Sequence, residues 1–187
     1  MSIWRNRSGR AVRGLLLIPF FFATFGCGSN APIQPPNPPI PSPQPGGFIY
    51  VRTVELNAYL QALDPTIPDF RAIIQEHNAV LGDWSDGRTN PYWTQIFANN
   101  VILRIQAYSL RLNGIRPNNP ELRDIHDQFS LAIQTLEGGM EVFRVAIGPE
   151  DSRLLGQAFE DFVRVNDLLD TVTARLSNLS GQPIRFF

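Results

Sequence analysis

Two histidines are the side chains in this sequence best suited to bind a metal ion. His77 falls in the middle of an apolar helical stripe, and His126 falls at the edge of another. If their helices touch, the two imidazoles would share a zinc or copper ion, with Asp124 or Asp127 close by in sequence. The simpler alternative is that each histidine is buried and hydrogen-bonded to a neighbour.

The residues around these histidines favour the simpler alternative. A di-iron site in a helical bundle uses Glu-x-x-His pairs, but Ile74 and Arg123 stand three positions before the histidines. The sequence also contains no HExxH, CxxC or CxxCH motif. We therefore expect no metal and no cofactor.

Other catalytic arrangements are also missing from the sequence. There is no GxSxG motif for a serine nucleophile. The paired carboxylates Glu150-Asp151 and Glu160-Asp161 fall at helix starts or on solvent faces. The segment GDWSDGRTN, residues 82–90, departs from calcium-loop spacing because Trp84 stands where an acid or amide belongs. The sequence therefore predicts a protein that is not an enzyme.

Three aromatic residues near this segment are candidates for an interface. They are Trp84, Tyr92 and Trp93, and exposed aromatic side chains often anchor protein contacts. A packed corner of the fold is the alternative interpretation.

The only cysteine, Cys27, follows a basic and then an apolar segment. Residues 1–13 contain four arginines and no acid, and about eleven apolar residues follow, including Pro19. At about 1.5 Å per residue this apolar run is too short to span a bilayer core of about 30 Å. A basic head followed by a short apolar body is typical of a secretory signal peptide.

The residues ATFGC around Cys27 resemble the lipobox of bacterial lipoprotein precursors. The resemblance covers about the first 27 residues. It implies that residues 1–26 are removed and that Cys27 carries a diacylglyceryl group and an acylated amino terminus. Gly28, in place of aspartate, implies transport to the outer membrane in Gram-negative lipoproteins of this kind. The expected location is the cell envelope, lipid-anchored and facing the periplasm or the cell surface.

A proline-rich segment follows the lipidation site. Residues 27–47 include eight prolines and end in Gly46-Gly47. Proline fixes φ and removes a backbone donor, so this segment is expected to be a disordered, semi-rigid spacer reaching roughly 60 Å. The folded domain is predicted to be 48–187.

The charge balance argues against a nucleic-acid partner. The sequence has seventeen acids and sixteen arginines, and four of those arginines belong to the leader. The remaining chain is acidic and has no basic stripe, so no nucleic-acid binding is expected.

Helical periodicity dominates the folded part. Two helices are predicted over about 53–63 and 68–81, and a third begins at the cap Asn90. This third helix has apolar residues on two sides. Such a helix either lies in the middle of a bundle or offers one of its sides to a partner. One side holds Trp93, Ile96, Leu103 and Leu110, and the other holds Phe97, Val101, Ile105 and Tyr108.

Two longer helices complete the predicted fold. The first starts at Asn119-Pro120 and ends at Gly148, and its internal Gly138-Gly139 pair indicates either a close neighbouring helix or a bend. The last has its first turn at Pro149, Glu150 and Asp151 and its end at Gly181. Its heptad stripe contains Leu155, Ala158, Phe162, Val165, Leu169, Val172, Leu176 and Leu179. The prediction is an all-α antiparallel four-helix bundle with a short N-terminal helix.

The functional expectation follows from this organisation. The sequence favours a non-catalytic, lipid-anchored envelope protein that presents a helical bundle to a protein partner. The alternative is a carrier or sensor of a small molecule or a metal, with a cavity between helices. That cavity would have His77 as a polar contact and would be lined by Trp93, Phe97, Phe129 and Phe143.

Overall fold

The computed structural model describes residues 53–185, and these residues form helices joined by turns. The elements are α1 (Thr53–Leu63), a 3-10 turn (Asp64–Thr66), α2 (Ile67–Ser85), α3 (Pro91–Leu112), α4 (Pro120–Ile147) and α5 (Ser152–Ser180). The predicted all-α bundle with a short N-terminal helix is confirmed. The predicted leader, spacer and domain boundary at Gly46-Gly47 lie outside the described residues.

Side-chain caps determine where α3 and α4 begin. The Asn90 side chain accepts a hydrogen bond from the Trp93 amide at 3.0 Å. The Asn119 side chain likewise accepts from the Glu121 amide at 2.9 Å. In each helix a proline occupies the first position, where no backbone donor is needed. Both predicted helix starts are confirmed.

Two predicted boundaries are corrected. α2 continues through Ser85 rather than ending near Leu81, because Trp84 packs its ring against Phe143 and extends the helix by a turn. α5 starts at Ser152, and Asp151 is its N-cap rather than part of its first turn. The Asp151 carboxylate accepts hydrogen bonds from the backbone amides of Arg153 and Leu154, at 2.9 and 3.1 Å.

The four long helices run antiparallel. Arg111, near the end of α3, pairs with Asp69, near the start of α2. Gln95, near the start of α3, donates a 3.2 Å hydrogen bond to the Arg144 carbonyl, near the end of α4. At the other end of the bundle, Arg175 of α5 pairs with two acids at the start of α4, Glu121 and Asp124. These links fix each helix against its neighbour in the chain.

Aromatic side chains fill the centre of the bundle. Phe70 of α2 stacks on Tyr108 of α3 at 5.3 Å between centroids and meets Phe129 of α4 edge-on at 5.5 Å. All three rings are fully buried. The Tyr108 hydroxyl lies 3.2 Å from the Thr66 hydroxyl, and burial raises the pKa of Tyr108 to about 12. Tyr108 therefore remains a neutral donor that ties α3 to the 3-10 turn.

The Gly138-Gly139 pair marks a close approach between α4 and α5. A Cβ atom built on Gly139 would lie 2.7 Å from a ring carbon of Phe162, whereas one on Gly138 would meet nothing within 4 Å. Of the two predicted alternatives, a close helix and a bend, the contact at Gly139 supports the close helix.

Within residues 53–185, no helix combines the length and the apolar character needed to cross a bilayer.

Candidate interaction surface

One face of α3 remains apolar and exposed. We call it the outer face of α3 and define it by the exposed residues Tyr92, Leu103, Ala107 and Leu110 together with the half-buried Ile96. Leu103 is 55% exposed and Leu110 is 76% exposed. Three amide side chains, Asn99, Asn100 and Gln106, are exposed on the same side of the helix. The outer face therefore presents apolar and amide groups to solvent along the whole helix.

The core uses the opposite side of α3. Five residues on that side are almost completely buried, and they are Ala98, Val101, Ile105, Tyr108 and Leu112. At 3.6 residues per turn, Leu103 and Leu110 project away from this buried set. Within residues 53–185, α3 is therefore covered on one side and exposed on the other. That the exposed side meets a partner stays a prediction.

Three aromatic rings extend the apolar surface at the start of α3. Tyr92, Trp93 and Phe97 are 65%, 51% and 40% exposed. The Tyr92 and Trp93 rings meet edge-on at 5.4 Å, and the Trp93 and Phe97 rings stack at 6.2 Å. Rings that bury about 150–250 Å² each when enclosed leave roughly 300 Å² exposed here, which is the lower end of the size of the largest apolar patch on a typical monomer.

Charges lie beside the outer face rather than on it. The charged residues of α3 are Arg104 and Arg111, and they pair with Glu76 and Asp69 of α2. On the other side, Gln106 Nε2 donates a 2.8 Å hydrogen bond to Glu137 of α4. A partner that covers the outer face therefore has no α3 charge to desolvate.

The three predicted interface aromatics separate into two groups. Trp84 is half-buried and its ring lies 5.3 Å from Phe143 and 6.3 Å from Phe159. It occupies the packed corner that was the alternative interpretation. Tyr92 and Trp93 are exposed, so the candidate interface retains these two residues.

His77 is enclosed between α2 and α5. Its ring meets the Phe162 ring edge-on at 4.6 Å, and its Nδ1 donates to the Asn78 side-chain oxygen at 3.1 Å. Within the described residues its Nε2 atom has no hydrogen-bond partner. Burial lowers the pKa of His77 to about 4, so the ring is neutral near pH 7.

This buried histidine predicts an acid-sensitive stability. The unfolded chain takes up the proton near pH 6.5 and the folded chain only near pH 4. His77 therefore weakens folding as pH falls through that window, by about 2–3 kcal/mol at pH 4.5. At pH 7, the free energy of unfolding of His77→Leu in urea should lie within about 1 kcal/mol of that of wild type. At pH 4.5, the variant should avoid the loss of about 2–3 kcal/mol that wild type suffers. An equal loss in both proteins on acidification would contradict the prediction.

His126 links α4 to α1. Its Nδ1 atom lies 3.2 Å from the Tyr59 hydroxyl of α1, and the two rings meet edge-on at 5.8 Å between centroids. Burial lowers its pKa, opposed by the nearby Asp127 carboxylate. These contacts describe a histidine that holds α1 against the bundle.

The structure does not bring the two histidines together. Phe162 contacts both His77 and the Cβ position of Gly139, so His77 lies level with Gly139. His126 is thirteen residues before Gly139 on α4, or about 20 Å along the helix. Among residues 53–185, no three His, Cys, Asp or Glu side chains are grouped to hold a metal ion.

The predicted aromatic cavity does not form as expected. Phe129 and Phe143 are fully buried, whereas Trp93 and Phe97 lie on the surface, so the four rings line no common space. A groove of about 750 Å³ instead lies at the turn between α3 and α4. Its lining includes Ile115, Arg116, Arg123, His126, Asp127 and Leu131. Its lining combines the turn 113–118 with one face of α4 that runs from Arg123 to Gln134. Sequence reasoning missed this groove because that face of α4 is mostly polar and apolar periodicity does not mark it.

No protein-family model matches this chain, and neither the curated proteins nor the solved structures compared with it gave a match. Its function must therefore be inferred from its own residues and their geometry.

Proposed function

We propose that this chain is a non-enzymatic lipoprotein of the bacterial envelope that presents its helical bundle for protein–protein contact. The observation that carries the proposal is the outer face of α3, an uncharged and exposed apolar surface along a 22-residue helix. The lipobox-like residues before Cys27 and the proline-rich spacer after it support the same function.

Covering the outer face has a favourable free energy. A partner that also covers the aromatic rings at the start of α3, Tyr92, Trp93 and Phe97, would bury roughly 300 Å² more, which at about 25 cal/mol per Å² corresponds to several kcal/mol before the costs of association. Since both arginines of α3 are already paired with α2, a partner would displace little tightly held water from charges. Surfaces of this composition, apolar with amides and aromatic anchors, are typical of protein contacts.

The anchor and the spacer determine where the contact takes place. More than one acyl chain on Cys27 would hold the protein stably in a bilayer, whereas one chain binds only marginally. A spacer reaching roughly 60 Å would let the bundle contact proteins away from the lipid surface. The proposed location is the outer membrane, facing the periplasm or the cell surface, and the proposed partner is another envelope protein.

Crosslinking in intact cells followed by mass spectrometry tests the contact. We compare wild type with the double variant Leu103→Glu/Leu110→Glu, which places two charges on the outer face. Val163→Glu is the matched control, because Val163 is 41% exposed on α5. We expect the double variant to lose the crosslinked species and the control to keep it. Both should unfold within about 1 kcal/mol of wild type, because surface changes have small effects.

An unchanged crosslinking pattern in the double variant would contradict the proposal. Loss of the pattern in the control as well would indicate that the contact depends on general surface charge and not on α3.

A second candidate, a small-molecule carrier, is favoured by the groove between α3 and α4. Its volume of about 750 Å³ is in the range of ligand sites. Arg116 and Arg123 would attract an anionic group, and Leu131 would contact an apolar one. A ligand that raises the melting temperature of wild type but not of Arg123→Ala would promote this candidate.

A further inference from the structure

We infer that the groove at the turn between α3 and α4 binds a short zwitterionic peptide of two residues, with its carboxylate at Arg116 and Arg123 and its ammonium group at Asp127. This inference rests on the second candidate function proposed above, the small-molecule carrier, and names the class of ligand for the same groove.

Three charged side chains line this groove, and they are Arg116, Arg123 and Asp127. Within residues 53–185, none of the three forms an ion pair with another side chain. Arg123 and Asp127 are four positions apart on α4, a spacing that makes opposite charges neighbours on a helix. Both signs of charge are therefore left available to a ligand in the groove.

The positive charges lie where the groove meets the turn. Arg116 belongs to the turn itself. The Arg123 side chain donates a 3.1 Å hydrogen bond from Nη2 to the carbonyl of Asn118, another residue of the turn. Guanidinium groups bind carboxylates through two parallel hydrogen bonds. This end of the groove is therefore suited to the carboxylate of a ligand.

The single negative charge of the groove distinguishes a zwitterion from a simple anion. His126 lines the groove but is only 6% exposed, and burial lowers its pKa, so it adds little charge near pH 7. A ligand with only negative charge would lie beside the Asp127 carboxylate and be repelled by it. An ammonium group on the ligand would pair with that carboxylate instead.

The spacing along α4 determines the length of the ligand. From Arg123 to Asp127 the helix rises about 6 Å, and it rises about 6 Å more to Leu131. An extended peptide of two residues spans roughly 7 Å, whereas a single amino acid spans about half of that. With its ammonium group at Asp127, the peptide would place its first side chain beside Leu131, which is 40% exposed. An apolar first residue is therefore expected.

Titration calorimetry of the full chain in detergent at pH 7 tests the inference, with leucyl-leucine as the probe. We expect a dissociation constant of roughly 1 mM or tighter. Three further probes each change one feature: N-acetyl-leucyl-leucine lacks the ammonium group, leucyl-leucine amide lacks the carboxylate, and free leucine is too short. Each should bind wild type at least about tenfold more weakly than leucyl-leucine does.

Variants of the groove assign each charge of the probe to its partner. In Asp127→Asn, acetylation of the probe should change the dissociation constant by less than about twofold, because the ammonium group has lost its partner. In Arg116→Gln/Arg123→Gln, amidation of the probe should have an equally small effect. Arg164→Gln removes an exposed arginine of α5 and is the matched control, so it should bind all four probes as wild type does. A folding defect would weaken every probe together and would not remove one penalty selectively.

Three results would overturn the inference. Equal binding of leucyl-leucine and its acetylated form to wild type would describe a site for simple anions, and equal binding of free leucine would describe a site for amino acids. Either result leaves the carrier function standing with another ligand. Failure of wild type to bind leucyl-leucine at about 10 mM would also overturn it. The proposed contact through α3 is tested separately by crosslinking and does not depend on these results.

Discussion

Replacing Gly139 with alanine should destabilise the bundle by about 1–2 kcal/mol, and replacing it with leucine by more than about 3 kcal/mol. A Cβ at this position would lie 2.7 and 3.0 Å from two ring carbons of Phe162 and 3.1 Å from the Cβ of Asp161. Contacts below 3.0 Å require the neighbour to move. The helix propensity gained on removing a glycine, about 1 kcal/mol, offsets only part of this overlap.

The Phe162 ring has little room to move. It is 6% exposed, lies 4.6 Å from the His77 ring centroid and packs against Phe143 at 6.4 Å. Moving it away from α4 would push it toward α2, where the core is already filled. The overlap therefore has to separate α4 from α5 or rotate the ring out of its preferred rotamer.

The neighbouring glycine provides a control of opposite sign. Gly138→Ala meets nothing within 4 Å, so it should stabilise the protein by up to about 1 kcal/mol through helix propensity. Urea unfolding of both variants measures the difference directly. Equal stability of Gly138→Ala and Gly139→Ala would contradict the close approach of α4 and α5.

Replacing Cys27 with alanine should move nearly all of the protein from the membrane fraction to the soluble fraction. Each buried methylene of an acyl chain contributes about 0.8 kcal/mol to membrane binding, so two or three chains hold the protein in the bilayer and none leaves it in water. Detergent phase partitioning of cell extracts measures the distribution. Wild type should enter the detergent phase and Cys27→Ala the aqueous phase.

Ser29→Ala is the control for this second experiment, because it changes a neighbouring small residue and keeps the thiol. It should partition with wild type. If Cys27→Ala protein without its leader still entered the detergent phase, lipid on the Cys27 sulfur could not be the anchor.

Local signals were sufficient to predict most helix limits. Two helices begin where a side chain caps them, at Asn90 and Asn119. The last helix ends at Gly181, whose backbone adopts the left-handed conformation with φ of 67°. Such effects depend on a few consecutive residues and can therefore be read from sequence. The start of α5 was placed wrongly because Glu150 takes a positive φ of 54°, so the chain turns once more before Asp151 caps the helix.

The surface residues required tertiary information. Trp84, Trp93 and Phe97 have equally apolar rings, and their exposure depends on which helices lie beside them. Trp84 is covered because α4 and α5 reach it, whereas no helix of the described chain covers Trp93. Periodicity identifies the two apolar sides of α3, but the packing of α2 and α4 decides which side remains exposed. The groove beside His126 combines a turn with a mostly polar face of α4, and apolar periodicity does not mark such a face.

The order of the helices has a consequence for folding speed. Each long helix packs on the one that follows it in the chain, as the contacts between Arg111 and Asp69 and between Arg175 and Glu121 indicate. Helical bundles, in which each helix forms locally and packs on its neighbour in the chain, fold within about microseconds to milliseconds. An envelope protein of the kind proposed here would therefore form its bundle soon after export, and proteases would have little time to act on the unfolded chain.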